Sequence, residues 1–183
     1  MNLPNLLTLF RILLIPVFVV VFYLPFDWAH FVAACIFGAA SFTDWLDGYL
    51  ARKLGQTSPF GAFLDPVADK LLVTTSLLLL VGAKDLNYIT LPAIIIVGRE
   101  IVISSLREWM AEVGRRASMT VNYIGKLKTA MQMFALMLLL AFYPETSWWG
   151  VLGFVLIYMA AILTIWSMVV YIVIAWPELI KKS

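Results

Sequence analysis

Four aspartates stand at helical spacing in a sequence that is mostly apolar. Asp44 and Asp47 are three residues apart, and Asp65 and Asp69 are four apart. On helices, each spacing places both carboxylates on one face. Four carboxylates near a bilayer repel one another strongly unless cations lie between them. Oxygen ligands suit hard divalent ions, so we predict a site for two Mg²⁺ or Mn²⁺ ions, with Ca²⁺ as the alternative.

Small and basic residues lie among these acids. Gly48 and Ala51 leave the helix surface bare beside Asp47, so a flat group or a backbone can approach closely. Arg52 follows, and a guanidinium can bind phosphate through two N–H groups at once. Small residues at this spacing are also common packing in membrane helices. Their combination with Arg52 favours a nucleotide diphosphate over packing alone.

The elements that carry these residues are expected to lie in a membrane. Hydrophobic residues make up 63% of the 183 residues and charged residues only 13%, which is more apolar surface than one soluble domain can bury. A net charge of +2 without a basic run gives no indication of a nucleic-acid partner. We predict an all-α integral membrane protein, one domain over residues 1–183, with six transmembrane helices. These are Leu6–Leu24, Trp28–Arg52, Asp65–Ala83, Tyr88–Trp109, Val121–Tyr143 and Trp148–Trp176.

Two of these boundaries rest on local signals. The apolar run 12–26 could be the core of a signal peptide, but no small-x-small cleavage site follows it, so we interpret it as a retained span. The uncharged run 54–64 contains Gly55, Pro59 and Gly61 and is interpreted as a loop. The third span would then begin at Asp65, with Pro66 in its first turn.

The distribution of basic residues predicts the orientation. Loops 24–29 and 143–147 contain no Lys or Arg, whereas the 109–121 connection contains Arg115 and Arg116 and the tail contains Lys181 and Lys182. The positive-inside rule therefore predicts that both termini are cytoplasmic. The charges within the spans then all fall at cytoplasmic ends, which predicts a polar cavity in that leaflet. Long basic side chains could instead reach the interface, but aspartates are too short to do so.

Eight residues of this region together resemble the signature of the CDP-alcohol phosphotransferase family. They are Asp44, Asp47, Gly48, Ala51, Arg52, Gly61, Asp65 and Asp69. Four further segments are similar to the bacterial members that form phosphatidylglycerophosphate, so that the resemblance covers essentially the whole chain. These segments are 4–11, 98–100, 106–109 and 124–129.

The resemblance implies a reaction and a place for it. The donor would be CDP-diacylglycerol and the acceptor sn-glycerol 3-phosphate, in the bacterial inner membrane, with the active site facing the cytoplasm. Asp44, Asp47 and Asp65 would be metal ligands, and Asp69 would be the general base and also touch metal. Asn5, Thr8 and Arg11 are helically spaced and could line the donor side with the small residues and Arg52, although helix capping or surface anchoring explains them nearly as well. Family members generally form dimers, so a homodimer is expected.

A phosphorylated acceptor needs further basic groups. Arg107, Lys126 and Lys128 are the candidates for binding glycerol 3-phosphate. Lys126 and Lys128 are two residues apart and therefore point in nearly opposite directions on a helix, so Arg107 and Lys128 are favoured. Ordinary positive-inside anchoring is the alternative for all three. Arg99 beside Glu100 is interpreted as a buried structural pair, with phosphate binding by Arg99 as the less favoured alternative.

Two other functions remain open at this point. A relative with the same motif could use serine or inositol phosphate as its acceptor, because the eight residues handle only the donor and the metal. A divalent-cation transporter could also use four aspartates, but such sites usually lie near the membrane midplane. In this sequence the charges are all predicted in one leaflet, which disfavours transport.

Overall fold

The fold comes from a computed structural model, which describes residues 3–54, 59–83, 87–112, 123–142 and 147–180. Every regular element in these ranges is helical. Six α-helices follow one another along the chain: α1 Leu3–Phe22, α2 Ala29–Leu54, α3 Pro59–Gly82, α4 Thr90–Glu112, α5 Tyr123–Ala141 and α6 Trp148–Ile180. A short 3-10 helix, Asn87–Ile89, precedes α4.

Two of the helices contain segments long and apolar enough to cross a membrane by themselves. These segments are Asn5–Phe22 in α1 and Trp148–Val173 in α6. Shorter apolar segments occupy Ala29–Asp44 in α2 and Leu127–Ala141 in α5. Large apolar side chains project outwards, as Ile162 and Trp166 do on α6 with 66% and 65% of their surface exposed. An all-helical chain with such outward faces is what a membrane protein requires.

One predicted boundary is wrong. The part of run 54–64 that the structure describes, from Pro59 onwards, is helical, and α3 therefore begins six residues before Asp65. Asp65 and Pro66 lie in the second turn and not the first. Proline at the first position of a helix is favourable because its missing N–H would have no intrahelical partner there. Pro59 therefore starts this helix, where the sequence analysis took it as a sign of a loop.

Close packing joins the helices into one bundle. α1 packs against α2 and α3, α2 against α5, α5 against α6, and α4 against α6. The fully buried rings of Phe18 on α1 and Phe37 on α2 have their centroids 6.3 Å apart. Where α5 meets α6, a Cβ atom on Gly153 would lie 3.0 Å from the Cβ of Leu138, so glycine permits this close approach.

Polar contacts between helices concentrate at one end of the bundle. Arg11 in the first half of α1 contacts Asp44 in the second half of α2, and Lys70 in α3 contacts Ser104 in α4. At the opposite end, the Tyr158 hydroxyl of α6 donates a hydrogen bond of 2.8 Å to the Tyr88 carbonyl oxygen. The first group of contacts surrounds the cavity that the bundle encloses.

Candidate active site

A cavity of about 570 Å³ lies between α2, α3, α4, α5 and α6. Acidic and basic side chains share its wall, which is unusual inside an apolar bundle. Its lining residues are Asp44, Asp69, Lys70, Val73, Thr74, Ile96, Val97, Arg99, Glu100, Arg107, Lys128, Thr129, Ala130, Gln132 and Tyr171. The volume falls within the range of small-molecule sites.

Aspartates from α2 and α3 form the acidic side of the cavity, and side chains of α1 donate hydrogen bonds to carboxylates of both helices. Arg11 is fully buried, and its Nη1 lies 2.5 Å from Oδ1 of Asp44. The Thr8 hydroxyl donates a hydrogen bond of 2.7 Å to Oδ1 of Asp65. Thr8 and Arg11 are three residues apart on α1, so one helix face holds carboxylates from both neighbouring helices. Asp69 follows Asp65 by one turn and lines the cavity directly.

Helices α4 and α5 supply the basic side. The Lys128 side chain is only 4% exposed, and its Nζ lies 3.9 Å from Oε1 of Glu100. The same carboxylate oxygen accepts a hydrogen bond of 2.8 Å from Nη1 of Arg99. Arg107 lies two turns further along α4 and is exposed at the cavity edge. Glu100 thus links two of the cations, while Lys70 of α3 donates a hydrogen bond to Ser104 of α4.

The structure brings four of the residues predicted from sequence to one cavity. Asp44, Asp69, Arg107 and Lys128 line it. Asn5, Thr8 and Gly61 are buried and are not among the lining residues, and Gly48 is half-buried on α2. The side chains of Asp47, Ala51, Arg52 and Lys126 lie outside the described residues, and their assigned roles stay predictions.

Lys70, Gln132 and Tyr171 are among the residues of the cavity wall to which the sequence pattern assigned no role. Gln132 is 4% exposed and lies one turn beyond Lys128 on α5. A polar residue four positions after a candidate lysine, within an apolar run, was the signal that could have identified it. Tyr171 has no comparable signal, because only tertiary packing brings α6 against α4.

The oxygen donors of the cavity fit a hard divalent cation better than zinc, since its described lining contains carboxylates but no His or Cys. Among the described side chains, no three His, Cys, Asp or Glu lie close enough together to hold a metal ion. Asp47 is not among these side chains. Asp44 of α2 and Asp69 of α3 both line the cavity, and their carboxylates would contribute to holding a divalent ion there.

Comparison with known proteins gives consistent results over almost the whole chain. The family model described as CDP-alcohol phosphatidyltransferase matches residues 1–175. Three similar proteins carry the name CDP-diacylglycerol--glycerol-3-phosphate 3-phosphatidyltransferase. The protein of Pseudomonas fluorescens is 53% identical over 180 residues, which cover 98% of this chain and 92% of the relative. The protein of Yersinia enterocolitica is 53% identical and that of Salmonella typhi 52% identical, each over 181 residues that cover 99% of this chain and 98% of the relative. The chain therefore belongs to the CDP-alcohol phosphatidyltransferase family.

Proposed function

We propose that this protein transfers the phosphatidyl group of CDP-diacylglycerol to sn-glycerol 3-phosphate, giving phosphatidylglycerophosphate and CMP. The observation that carries the proposal is that Asp44 and Asp69 share one cavity with Arg107 and Lys128. The acids suit a metal-dependent reaction at a pyrophosphate, and the bases suit an acceptor that itself bears a phosphate. The names of the similar proteins specify the same two substrates.

The reaction needs one proton acceptor and one leaving group. Asp69 would take the proton from the 1-hydroxyl of the acceptor, whose oxygen then bonds to the phosphorus that carries the diacylglycerol. The bond from this phosphorus to the CMP oxygen breaks, and CMP leaves. Arg107 and Lys128 would hold the acceptor phosphate so that its hydroxyl reaches the donor in line.

Two divalent ions fit the acidic side of the cavity. Asp44, Asp47, Asp65 and Asp69 would hold them, and either Mg²⁺ or Mn²⁺ would satisfy the oxygen donors. When bound, the ions would stabilise the negative charge on the pyrophosphate. Thr8 and Arg11 hold two of these carboxylates in place by hydrogen bonds of 2.7 and 2.5 Å. The remaining family positions, Gly48, Ala51, Arg52 and Gly61, would contact the cytidine diphosphate with help from Asn5 and Thr8.

The membrane arrangement belongs to the same proposal. All six helices would span the bacterial inner membrane with both termini in the cytoplasm, and the cavity would open in the cytoplasmic leaflet. Support comes from the clustering of interhelical polar contacts at one end of the bundle. A lipid donor can then leave its acyl chains in the bilayer while a soluble acceptor enters from water. Exposed apolar side chains on α6 are compatible with lipid contact and with a homodimer.

A transferase assay with the purified protein tests this function. CDP-diacylglycerol and Mg²⁺ or Mn²⁺ are supplied with radiolabelled glycerol 3-phosphate, serine or inositol phosphate in parallel. We expect labelled lipid and equimolar CMP with glycerol 3-phosphate alone, and no product after EDTA treatment. Labelled lipid from serine or inositol phosphate, with none from glycerol 3-phosphate, would overturn the acceptor assignment. Divalent-ion flux in proteoliposomes without CMP release would indicate a transporter.

A further inference from the structure

One aromatic ring lies beside two of the arginines that line the cavity. Tyr171 is a half-buried residue of α6. Its ring centroid is 5.5 Å from Cζ of Arg107 and 5.9 Å from Cζ of Arg99. Both distances lie within the roughly 6 Å over which an aromatic face attracts a guanidinium. Of the described residues that line the cavity, Tyr171 is the one on α6.

The spacing of the two arginines makes this double contact informative. Arg99 and Arg107 are eight residues apart on α4, which separates their backbones by about 12 Å along the helix. For one ring to lie near both guanidinium groups, the two side chains must lean towards each other over it. An arginine side chain loses much rotamer freedom when it binds a ligand, and a ring that already holds it reduces the entropy that the ligand must still remove.

The partners of the two arginines differ. Arg99 is bound to Glu100, whereas Arg107 forms no ion pair with any side chain in the described part of the chain. Nε of Arg99 is also buried without an acceptor among the described residues. A guanidinium lying over a ring keeps the N–H groups at its own edge, and those groups can bind phosphate. The contact with Tyr171 therefore orders the arginines without occupying their donors.

We infer that Tyr171 is a positioning residue for the acceptor phosphate, because its ring holds Arg107 and Arg99 at the cavity wall ready to bind an anion. The inference rests on the proposed function and adds a residue on α6 to it. Tyr171 acts through the arginines and does not take part in the chemical step. Removal of the ring should therefore weaken binding of the phosphorylated acceptor. Binding of the donor and the turnover rate should stay nearly unchanged.

The test compares ring-less and ring-bearing variants in steady-state kinetics. Tyr171→Leu and Tyr171→Met should each raise the KM for glycerol 3-phosphate about fivefold, as expected for the loss of a cation–π contact. Tyr171→Phe keeps the ring and should stay within about twofold of the wild type. The KM for CDP-diacylglycerol and kcat should change less than about twofold in all three variants. Inorganic phosphate, used as a competitive inhibitor, should bind about fivefold more weakly to the two ring-less variants.

A control and a double-mutant cycle separate positioning from general packing. Tyr158→Leu removes the same ring from the other end of α6 and should leave both KM values unchanged. Tyr171→Leu should raise the KM for glycerol 3-phosphate by a smaller factor in an Arg107→Leu background than in the wild type, because part of the effect of the ring acts through that arginine. The inference would be overturned if the KM increase of the double variant equalled the product of the increases in the two single variants. An unchanged acceptor KM in Tyr171→Leu, an equal rise for both substrates, or failure of both ring-less variants to fold would also overturn it. A wild-type protein that makes no product from glycerol 3-phosphate would refute the proposed function itself.

Discussion

The ion pair between α1 and α2 allows a quantitative test of how the acidic side of the cavity is held. Arg11 is fully buried and its Nη1 lies 2.5 Å from Oδ1 of Asp44, whose side chain is 44% exposed. Breaking a fully buried ion pair costs about 3–5 kcal/mol. Asp44 opens to the cavity, so water can solvate much of its charge once the partner is gone. The contribution of a charge-assisted hydrogen bond, about 1.5–3 kcal/mol, is therefore the better estimate of the stability lost with this contact. We therefore expect Arg11→Leu to lower the free energy of unfolding by about 2 kcal/mol.

Thermal unfolding in detergent measures this cost directly. The seven tryptophans of the chain provide the fluorescence signal, and EDTA keeps divalent ions from replacing the lost cation. A loss of about 2 kcal/mol corresponds to a Tm lower by about 4–8 °C for a chain of this length, by the scaling of soluble proteins. Thr8→Val is the matched control, because it removes a neighbouring hydrogen bond of 2.7 Å to Asp65 without removing a charge. We expect it to cost about 1 kcal/mol.

The result that would refute this reasoning is a Tm for Arg11→Leu within about 1 °C of the wild type under the same conditions. Arg11 would then contribute no net stability through Asp44. A Tm decrease for Arg11→Leu no larger than that for Thr8→Val would also refute the reasoning, because losing the charged partner would then cost no more than losing one hydrogen bond. Arg11→Lys keeps the charge but not the fork of N–H groups, so its Tm should lie between those of the wild type and Arg11→Leu.

Three further changes test other parts of the structure. Asp69→Asn should lower the rate of CMP release by about 10²–10⁴-fold with an unchanged Tm, and an active variant would exclude Asp69 as the base. Gln132→Leu should leave Tm within about 3 °C of the wild type, because leucine has a similar volume and Gln132, 4% exposed, lines the cavity. A Tm several degrees lower would show that this amide has a stabilising partner. Gly153→Val should destabilise the α5–α6 contact by about 1–3 kcal/mol in thermal unfolding. Gly98→Ala is its control and should be neutral, because no atom lies within 4 Å of the added Cβ.

The sequence was sufficient to predict the helices and part of the cavity. Apolar runs bounded by charged residues predicted six helical segments, and the described residues form six α-helices. The positions of the charged residues at one end of the predicted spans indicated a polar cavity, and Asp44, Asp69, Arg107 and Lys128 line such a cavity, while the roles assigned to them stay predictions. The reason is physical: ionisable groups among apolar helices are stable only when they converge, so their positions along each helix largely determine where they meet.

The features that the sequence did not predict depend on tertiary packing. The contact of Tyr171 with Arg99 and Arg107 joins residues more than 60 positions apart, and no periodicity within α6 marks this ring among its other aromatic residues. The start of α3 at Pro59 was missed because glycine and proline are signals both for loops and for helix ends. Local composition does not distinguish a loop from a helix end, because the difference depends on which backbone N–H and C=O groups have hydrogen-bond partners.

The two sides of the cavity lie on different helices, which has a consequence for substrate selection. The eight residues of the family motif all belong to α2 and α3, and α1 supports them through Thr8 and Arg11. The basic groups assigned to the acceptor and the ring beside them belong to α4, α5 and α6, whereas Lys70 belongs to α3. Substitutions of these residues on α1, α2 and α3 should therefore mainly raise the KM for the donor. Substitutions of those on α4, α5 and α6 should mainly raise the KM for the acceptor. Comparing the KM values of both substrates for Thr8→Val and Arg107→Leu tests this division, because equal effects on both substrates in either variant would contradict it.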